Sequence, residues 1–188
     1  MKMPSPEVLP LLEYRLRAVA IGHLALQYAI AWDEVPSIEI LFDGKKVIEG
    51  KATAFTNGAI ESAIVHCRAL LEFLGLRGKS KTELGELLNR SKNDDIGIEH
   101  FPGLSKLSVQ GAIQKYAGSK DEAEEALAYV VYLANKGLAH TTASFTKQDR
   151  GSVLLEIAFR GVPTLVVNNF YVPLKIEPPS YEIPARKI

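Results

Sequence analysis

The sequence predicts a mainly α-helical bundle with a small β-hairpin near residues 38–49 and an extended, proline-rich C-terminal tail. Three observations predict it. Apolar residues recur at alternating spacings of three and four along residues 7–32 and 57–74, as on the buried stripe of a helix. An Asp43-Gly44 pair separates two short apolar-rich runs, which is the pattern of a two-residue hairpin turn. Four prolines from Pro173 onwards favour an extended tail.

Residues at the ends of the helical segments support these assignments. Pro36 closes the first helix, because a proline restricts the residue before it. In the second helix, Asn57 is a candidate N-cap and Gly75 a candidate C-terminal glycine. A third helix is predicted from Ser119 to about His140, because Ser119 and Glu122 form a capping-box pattern.

The remaining segments give weaker signals. Residues 82–89 and 105–116 are each interpreted as a short helix. Residues 153–160 and 163–170 are interpreted as two helical pieces, and a β-hairpin is the open alternative because residues 162–172 are rich in strand formers. These assignments divide the chain into one domain over residues 1–172 and a tail over residues 173–188.

Composition limits the classes of function. Lys and Arg together number 22, as do Asp and Glu, so overall charge does not favour non-specific nucleic-acid or membrane binding. The single cysteine, Cys67, cannot form an internal disulfide and suits a reducing compartment. We find no signal-peptide pattern, and charged residues, Pro163 and two asparagines interrupt the apolar stretch at 153–174. We therefore expect a cytoplasmic protein without a membrane span.

One flank of the third helix carries the main candidate site. Tyr129, Tyr132, Lys136 and His140 are spaced by three, four and four residues, which predicts one shared face. Two phenols, an ammonium and an imidazole along one groove would suit a phosphate or a stacked base, and Asn135 and Thr142 add polar groups. The alternative is that Lys136 and His140 only complement the helix dipole while the tyrosines lie at the core margin.

The second helix carries further candidates. His66 lies at one margin of its buried stripe, and Glu61 and Arg68 lie at the other. An ion pair between Arg68 and Glu72 is the simpler interpretation of Arg68. Convergence of His66 and Arg68 with the third-helix flank would instead indicate one cleft.

The other two histidines are expected to be structural, and no cofactor or metal is predicted. His23 is expected in the core with one hydrogen-bonded ring nitrogen. His100 is expected in a solvated acidic loop, because its surroundings match no common metal-ligand spacing.

Two stretches carry a family resemblance. His-Cys-Arg-Ala-Leu-Leu-Glu-Phe-Leu at 66–74 and Asn-Lys-Gly-Leu-Ala-His-Thr-Thr at 135–142 resemble a group of small bacterial helical proteins. The second stretch is also distantly similar to the Arg-x4–6-His signature of HEPN domains. Asn135 takes the place nearest to that arginine, and Lys136 precedes His140 by four residues. The resemblance covers about a tenth of the chain.

The resemblance implies a helical bundle, often dimeric, and in many members a metal-independent ribonuclease of toxin–antitoxin or phage-defence systems. The leading hypothesis is thus a homodimeric HEPN-like domain that binds RNA or a partner protein. A second hypothesis is a ribonuclease with His140 as general acid or base, Lys136 stabilising the phosphorane, and Tyr129 or Tyr132 stacking a base. A third is a structural or accessory protein whose hairpin and tail form a dimer interface.

Overall fold

The computed structural model describes residues 7–90, 94–138 and 150–180, and it confirms the mainly helical class with one small hairpin. The longer elements are α1 (Val8–Ala31), β1 (Ser37–Phe42), β2 (Lys45–Lys51), α2 (Thr53–Leu74), α4 (Lys120–Tyr132) and α5 (Gly151–Val166). The shorter ones are β3 (Leu76–Gly78), β4 (Leu84–Glu86), a 3₁₀ turn (Ile98–His100), α3 (Val109–Ile113) and α6 (Val172–Leu174). Two π-helical turns extend the helices, Leu133–Gly137 after α4 and Val167–Tyr171 between α5 and α6.

Helices α1 and α2 pack as a close antiparallel pair. A side chain on Gly22 would bring its Cβ to 2.2 Å from the Cβ of Ala63 and 2.7 Å from the carbonyl oxygen of Ala59. Only glycine fits so close an approach of two helices. Arg15, which precedes Gly22, contacts His66, which follows Ala63, so the two helices run antiparallel.

The core lies between this pair and helices α4 and α5. Phe73, Phe101 and Phe170 form an edge-to-face aromatic cluster, with centroids 4.9 to 6.1 Å apart. Cys67 is fully buried in the same core, and burial raises the pKa of its thiol. Helix α4 is buried around much of its circumference, because its interior residues include the run from Ala126 to Val131.

The C-terminal helix differs from the prediction. Residues 151–174 form one helical run, so the predicted break near Gly161 and the β-hairpin alternative are both wrong. Pro163 lies buried inside α5 and interrupts only one backbone hydrogen bond. The helix continues because its apolar side chains are buried against α1, α2 and α4: Leu154, Leu155, Ala158, Phe159, Val162, Val166 and Phe170.

By length and composition this helix, Gly151–Leu174, would also be able to cross a membrane, with a mean hydropathy of 1.2 in its most apolar window. The core helix of a globular bundle meets the same criterion, and 44% of that window is buried inside the protein. The helix ends at Leu174, two residues beyond the predicted start of the tail, and Lys175 follows in a left-handed conformation. Residues 176–180 contain no helix or strand.

Four further details differ from the prediction. Helix α2 begins at Thr53 and not beyond Asn57, because the hairpin closes where the Ala52 amide donates to the Pro36 carbonyl. Residues 82–89 contain no helix, since β4 pairs antiparallel with β3. Ser119 precedes α4 as predicted, but its side chain makes no capping bond. The predicted helix in residues 105–116 shortens to α3, which Ser108 caps by accepting from the Gly111 amide.

Two predicted turns are confirmed. Asp43 and Gly44 both have positive φ, 50° and 77°, as a type I′ hairpin turn requires. Gly75 ends α2 with φ 93°, and its amide donates to the carbonyls of Leu71 and Glu72.

An ion-pair network completes the C-terminal end of α2. Arg90 donates to the carbonyls of Glu72 and Phe73 and binds the Glu99 carboxylate through two nitrogens, at 2.7 and 3.0 Å. Burial acts to raise the pKa of Glu99, but the bond from Arg90 and the nearby charge of Lys106 prevail and hold it at about 2. The cation thus satisfies carbonyls that α2 leaves without partners, at the negative end of the helix dipole.

Candidate functional site

The predicted flank of the third helix is divided between interior and surface. Tyr129 is only 4% exposed, and burial raises the pKa of its phenol. The Lys81 ammonium lies 5.7 Å from the centroid of the Tyr129 ring. Tyr132 is half-buried, whereas Asn135 and Lys136 are exposed. His140 and Thr142 lie outside the described residues. The ring of Tyr129 is therefore covered and offers no open surface to a base.

A π turn explains why the predicted alignment of Tyr129 with Lys136 fails. The Leu138 amide donates to the Leu133 carbonyl, five residues back, at 3.0 Å. A π turn closes its hydrogen bond over five residues and not four, so each residue advances by less than 100° and positions beyond Leu133 leave the register on which the prediction depended. A change of register of this kind cannot be read from apolar spacing.

Among the candidates on α2, His66 contacts α1, whereas Arg68 pairs within its own helix. Arg15 of α1 donates to His66 Nδ1 at 3.1 Å, and the Tyr14 ring meets the imidazole edge-on at 5.2 Å. Burial, and then the charge of Arg15, lower the pKa of His66. Arg68 binds Glu72 at 3.0 Å, which confirms the simpler interpretation of Arg68. Glu61 is exposed.

These two groups of candidates are not joined in the part of the chain that the structure describes. No hydrogen bond or ion pair within residues 7–90, 94–138 and 150–180 links His66 or Arg68 with Tyr132 or Lys136. His66 instead faces α1, where it belongs to the seam between the two long helices.

The other histidines have structural surroundings. His23 is half-buried near Glu156 and Arg160 of α5, and burial lowers its pKa. Its Nε2 is buried without a hydrogen-bonding partner among the described residues, so the predicted bond is not found at that atom. His100 is exposed and accepts from the Gly97 amide at 3.2 Å. Within the described ranges, no group of His, Cys, Asp and Glu side chains has a metal-binding arrangement.

An open cleft of about 540 Å³ lies where the β3–β4 hairpin meets the start of α4. Its lining contains none of the predicted site residues: Lys79, Thr82, Glu83, Leu84, Asp121, Glu124 and Glu125. The Glu124 carboxylate accepts from the Leu84 amide at 3.0 Å. The carboxylates of α4 lie in its first turns, where they stabilise the positive end of the helix dipole.

A larger feature, which the sequence interpretation missed, is an exposed apolar surface on the α1–α2 pair. We call it the outer face and define it by five side chains: Tyr14 (61% exposed), Ile21 (59%) and Tyr28 (38%) of α1, and Phe55 (36%) and Val65 (46%) of α2. The three α1 residues recur every seven positions, which places them on one side of the helix. That repeat is visible in the sequence, beside the buried stripe.

The β1–β2 hairpin, which connects α1 to α2, has an apolar side of its own. Lys46 binds both Glu39 and Glu49, at 3.0 and 2.7 Å, so these three side chains share the polar side of the hairpin. Alternation along β1, and the pairing of Ile40 with Ile48, then put the following residues on the opposite side: Ile38, Ile40, Phe42 and Ile48. Phe42 is 61% exposed and Ile48 40% exposed. The body of the protein thus leaves much of this apolar side uncovered.

No protein-family model, curated protein or solved structure matches this chain.

Stability should depend on His66 near neutral pH. Its folded-state pKa is lowered, so neutral His66 stabilises the fold fully above the unfolded-state pKa of about 6.5, and this contribution decreases as pH falls below that value. We expect His66→Gln, whose amide oxygen still accepts from Arg15, to reduce the loss of unfolding free energy between pH 7.5 and 5.5. Urea titrations at both pH values measure it, with His100→Gln as the exposed control. An unchanged pH dependence in His66→Gln would contradict the assignment.

Proposed function

We propose that this chain is a helical protein-binding module whose partner covers the outer face. The observation that carries the proposal is the apolar stripe of Tyr14, Ile21 and Tyr28, which is exposed along one side of α1. Phe55 and Val65 of the closely packed α2 are exposed as well. Together these side chains expose on the order of several hundred Å² of apolar surface, the size of the largest apolar patch on a typical monomer, which is often functional.

The surroundings of the outer face suit a protein interface. Close packing at Gly22 holds the two helices in one arrangement, so a partner would meet a preformed surface. Two tyrosines and a phenylalanine supply the aromatic anchors that dominate binding energy in many interfaces. Arg17 and Glu13 form an exposed ion pair on the same helix, which would lie in a polar rim.

Of the two ligands in the HEPN-like hypothesis, RNA or a partner protein, this proposal chooses the partner protein. It requires no catalytic group and no cofactor. The same proposal includes a homodimeric state. It also includes a cytoplasmic location, because the reducing cytoplasm suits the lone thiol of Cys67.

Ile21→Glu tests the outer face. Because Ile21 is 59% exposed, the substitution should change the unfolding free energy by less than about 0.5 kcal/mol. A charge buried in an interface should weaken binding by roughly tenfold or more. A photo-crosslinking residue placed at Tyr14 in cells should capture a protein, and Ile21→Glu should abolish the product.

Two matched controls accompany this experiment. Val153→Glu changes a similarly exposed apolar residue on α5, and the same crosslinker at Gln27 probes another exposed position on α1. Equal capture from Tyr14 and Gln27, or equal effects of Ile21→Glu and Val153→Glu, would remove the outer face from consideration.

RNA binding beyond the end of α4 is the second candidate function. The supporting observation is that Asn135 and Lys136 are exposed on a π turn, and such turns are frequent at functional sites. In this candidate Lys136 binds a phosphate as a point charge, and half-buried Tyr132 replaces Tyr129 as the stacking ring. A ribonuclease on this site would use His140 as general acid or base, as the resemblance implies.

We expect the double substitution Lys136→Ala/His140→Ala to weaken binding of a labelled single-stranded RNA by at least tenfold in fluorescence anisotropy, because two cationic contacts to phosphate are removed. Lys115→Ala/His100→Ala is the control with the same change of composition at exposed positions. If the chain is a nuclease, overexpression should be toxic and His140→Ala should relieve the toxicity. Absence of binding by the wild type, or equal binding by both double variants, would exclude the RNA site.

A further inference from the structure

The two edges of the β1–β2 hairpin differ in a way that bears on the partner. Strand β2 carries Lys45, Lys46 and Lys51, and Val47 is an extra residue that shifts its register against β1. Lysines and bulges are the devices by which proteins prevent an edge strand from pairing with another chain. Strand β1 (Ser37–Phe42) has neither. Its edge is therefore open to pairing while that of β2 is protected.

The geometry of the turn determines which backbone groups of β1 point away from β2. The two-residue turn makes Phe42 and Lys45 a hydrogen-bonded pair. Bonded and non-bonded positions alternate along an antiparallel strand, so the amides and carbonyls of Ser37, Glu39 and Leu41 point away from β2. Within the described residues, these three positions make no backbone hydrogen bond to a segment outside the hairpin.

The side chains of β1 suit pairing with an identical strand. In an antiparallel pair centred on Ile40, Glu39 would face Leu41 of the second copy, and the outward-pointing groups of both residues would bond. On the apolar side, Ile38 would face Phe42 of the second copy, and the two Ile40 side chains would meet at the axis. A pair centred on Glu39 instead places two carboxylates directly opposite each other, which is destabilising.

We propose that the partner is a second copy of this chain, joined through β1 into a four-stranded antiparallel sheet in the order β2–β1–β1–β2. This inference rests on the proposed function, because it names the protein that the module binds, and it adds the β1 edge to the outer face as a contact surface. An isolated two-stranded hairpin is marginally stable in water, whereas a sheet of three or more strands with an apolar face is stable. Pairing thus gives the exposed hairpin the additional strands that a stable sheet needs. A two-fold axis through Ile40 closes the assembly as a dimer.

The self-complementary register favours an identical copy over an unrelated strand. One axis matches apolar with apolar residues on one side of β1 and keeps the two Glu39 carboxylates apart on the other. The strands alone would bury less than a standard interface, so we expect a dissociation constant on the order of tens of micromolar. Sedimentation measurements should therefore span about 1 to 500 µM of the full chain.

Opposite charges at Leu41 test the register. In the proposed dimer residue 41 faces Glu39 of the other copy, so Leu41→Lys should lower the dissociation constant and Leu41→Glu should raise it. Each pair occurs twice across the axis, so the expected change is about three- to tenfold in each direction. Within one hairpin residue 41 faces Lys46, so the stability of the isolated hairpin should change in the opposite order. The two effects are therefore separable.

Each outcome decides between the proposals. Sedimentation equilibrium should show a monomer–dimer equilibrium with opposite shifts for Leu41→Lys and Leu41→Glu. A wild type that stays monomeric to 500 µM, or two variants that shift in the same direction, would overturn the pairing. If the chain stays monomeric while the Tyr14 crosslinker still captures a different protein, the outer face stands and only the identity of the partner fails. If neither is observed, both proposals fail.

Discussion

The close contact of α1 with α2 at Gly22 is the constraint on which the rest of the structure depends. Because a Cβ at that position would overlap Ala63, the two longest helices approach more closely than ordinary side chains allow. The contact fixes where the outer face lies, sets Arg15 against His66, and brings Ala31 close enough to Thr53 for a short hairpin to connect them. A larger residue at position 22 would separate the helices and disturb all three features.

Much of the fold was predictable because local chemistry agrees with the tertiary environment. Asp43-Gly44 determines its turn through positive φ, and Gly75 ends α2 for the same reason. Residues 82–89 were misassigned because β4 is held by pairing with β3, a contact that spacing does not reveal. The sequence predicts a break near Gly161, ahead of Pro163, but residues 151–174 form one helical run because burial of the apolar side chains outweighs one lost backbone hydrogen bond.

The candidate site was less predictable, since it depends on what covers each side chain. Tyr129 has the spacing of a flank residue, yet Lys81 from the β3–β4 connection lies over its ring. Lys136 is exposed, but a π turn separates it from the register of Tyr129. Conversely, the repeat of Tyr14, Ile21 and Tyr28 is present in the sequence, but a second apolar stripe stands out as an exposed surface only once the first is known to be buried.

In the proposed dimer, the open edge of β1 is covered only when this chain binds a second copy of itself. Amide hydrogen exchange compared at about 1 and 500 µM tests this most directly, because it reports on the backbone of β1. In the proposed register, the amides of Glu39 and Leu41 should exchange freely when dilute and become protected when concentrated, while those of β2 that face solvent should not change. Exchange at β1 that is independent of concentration would contradict it.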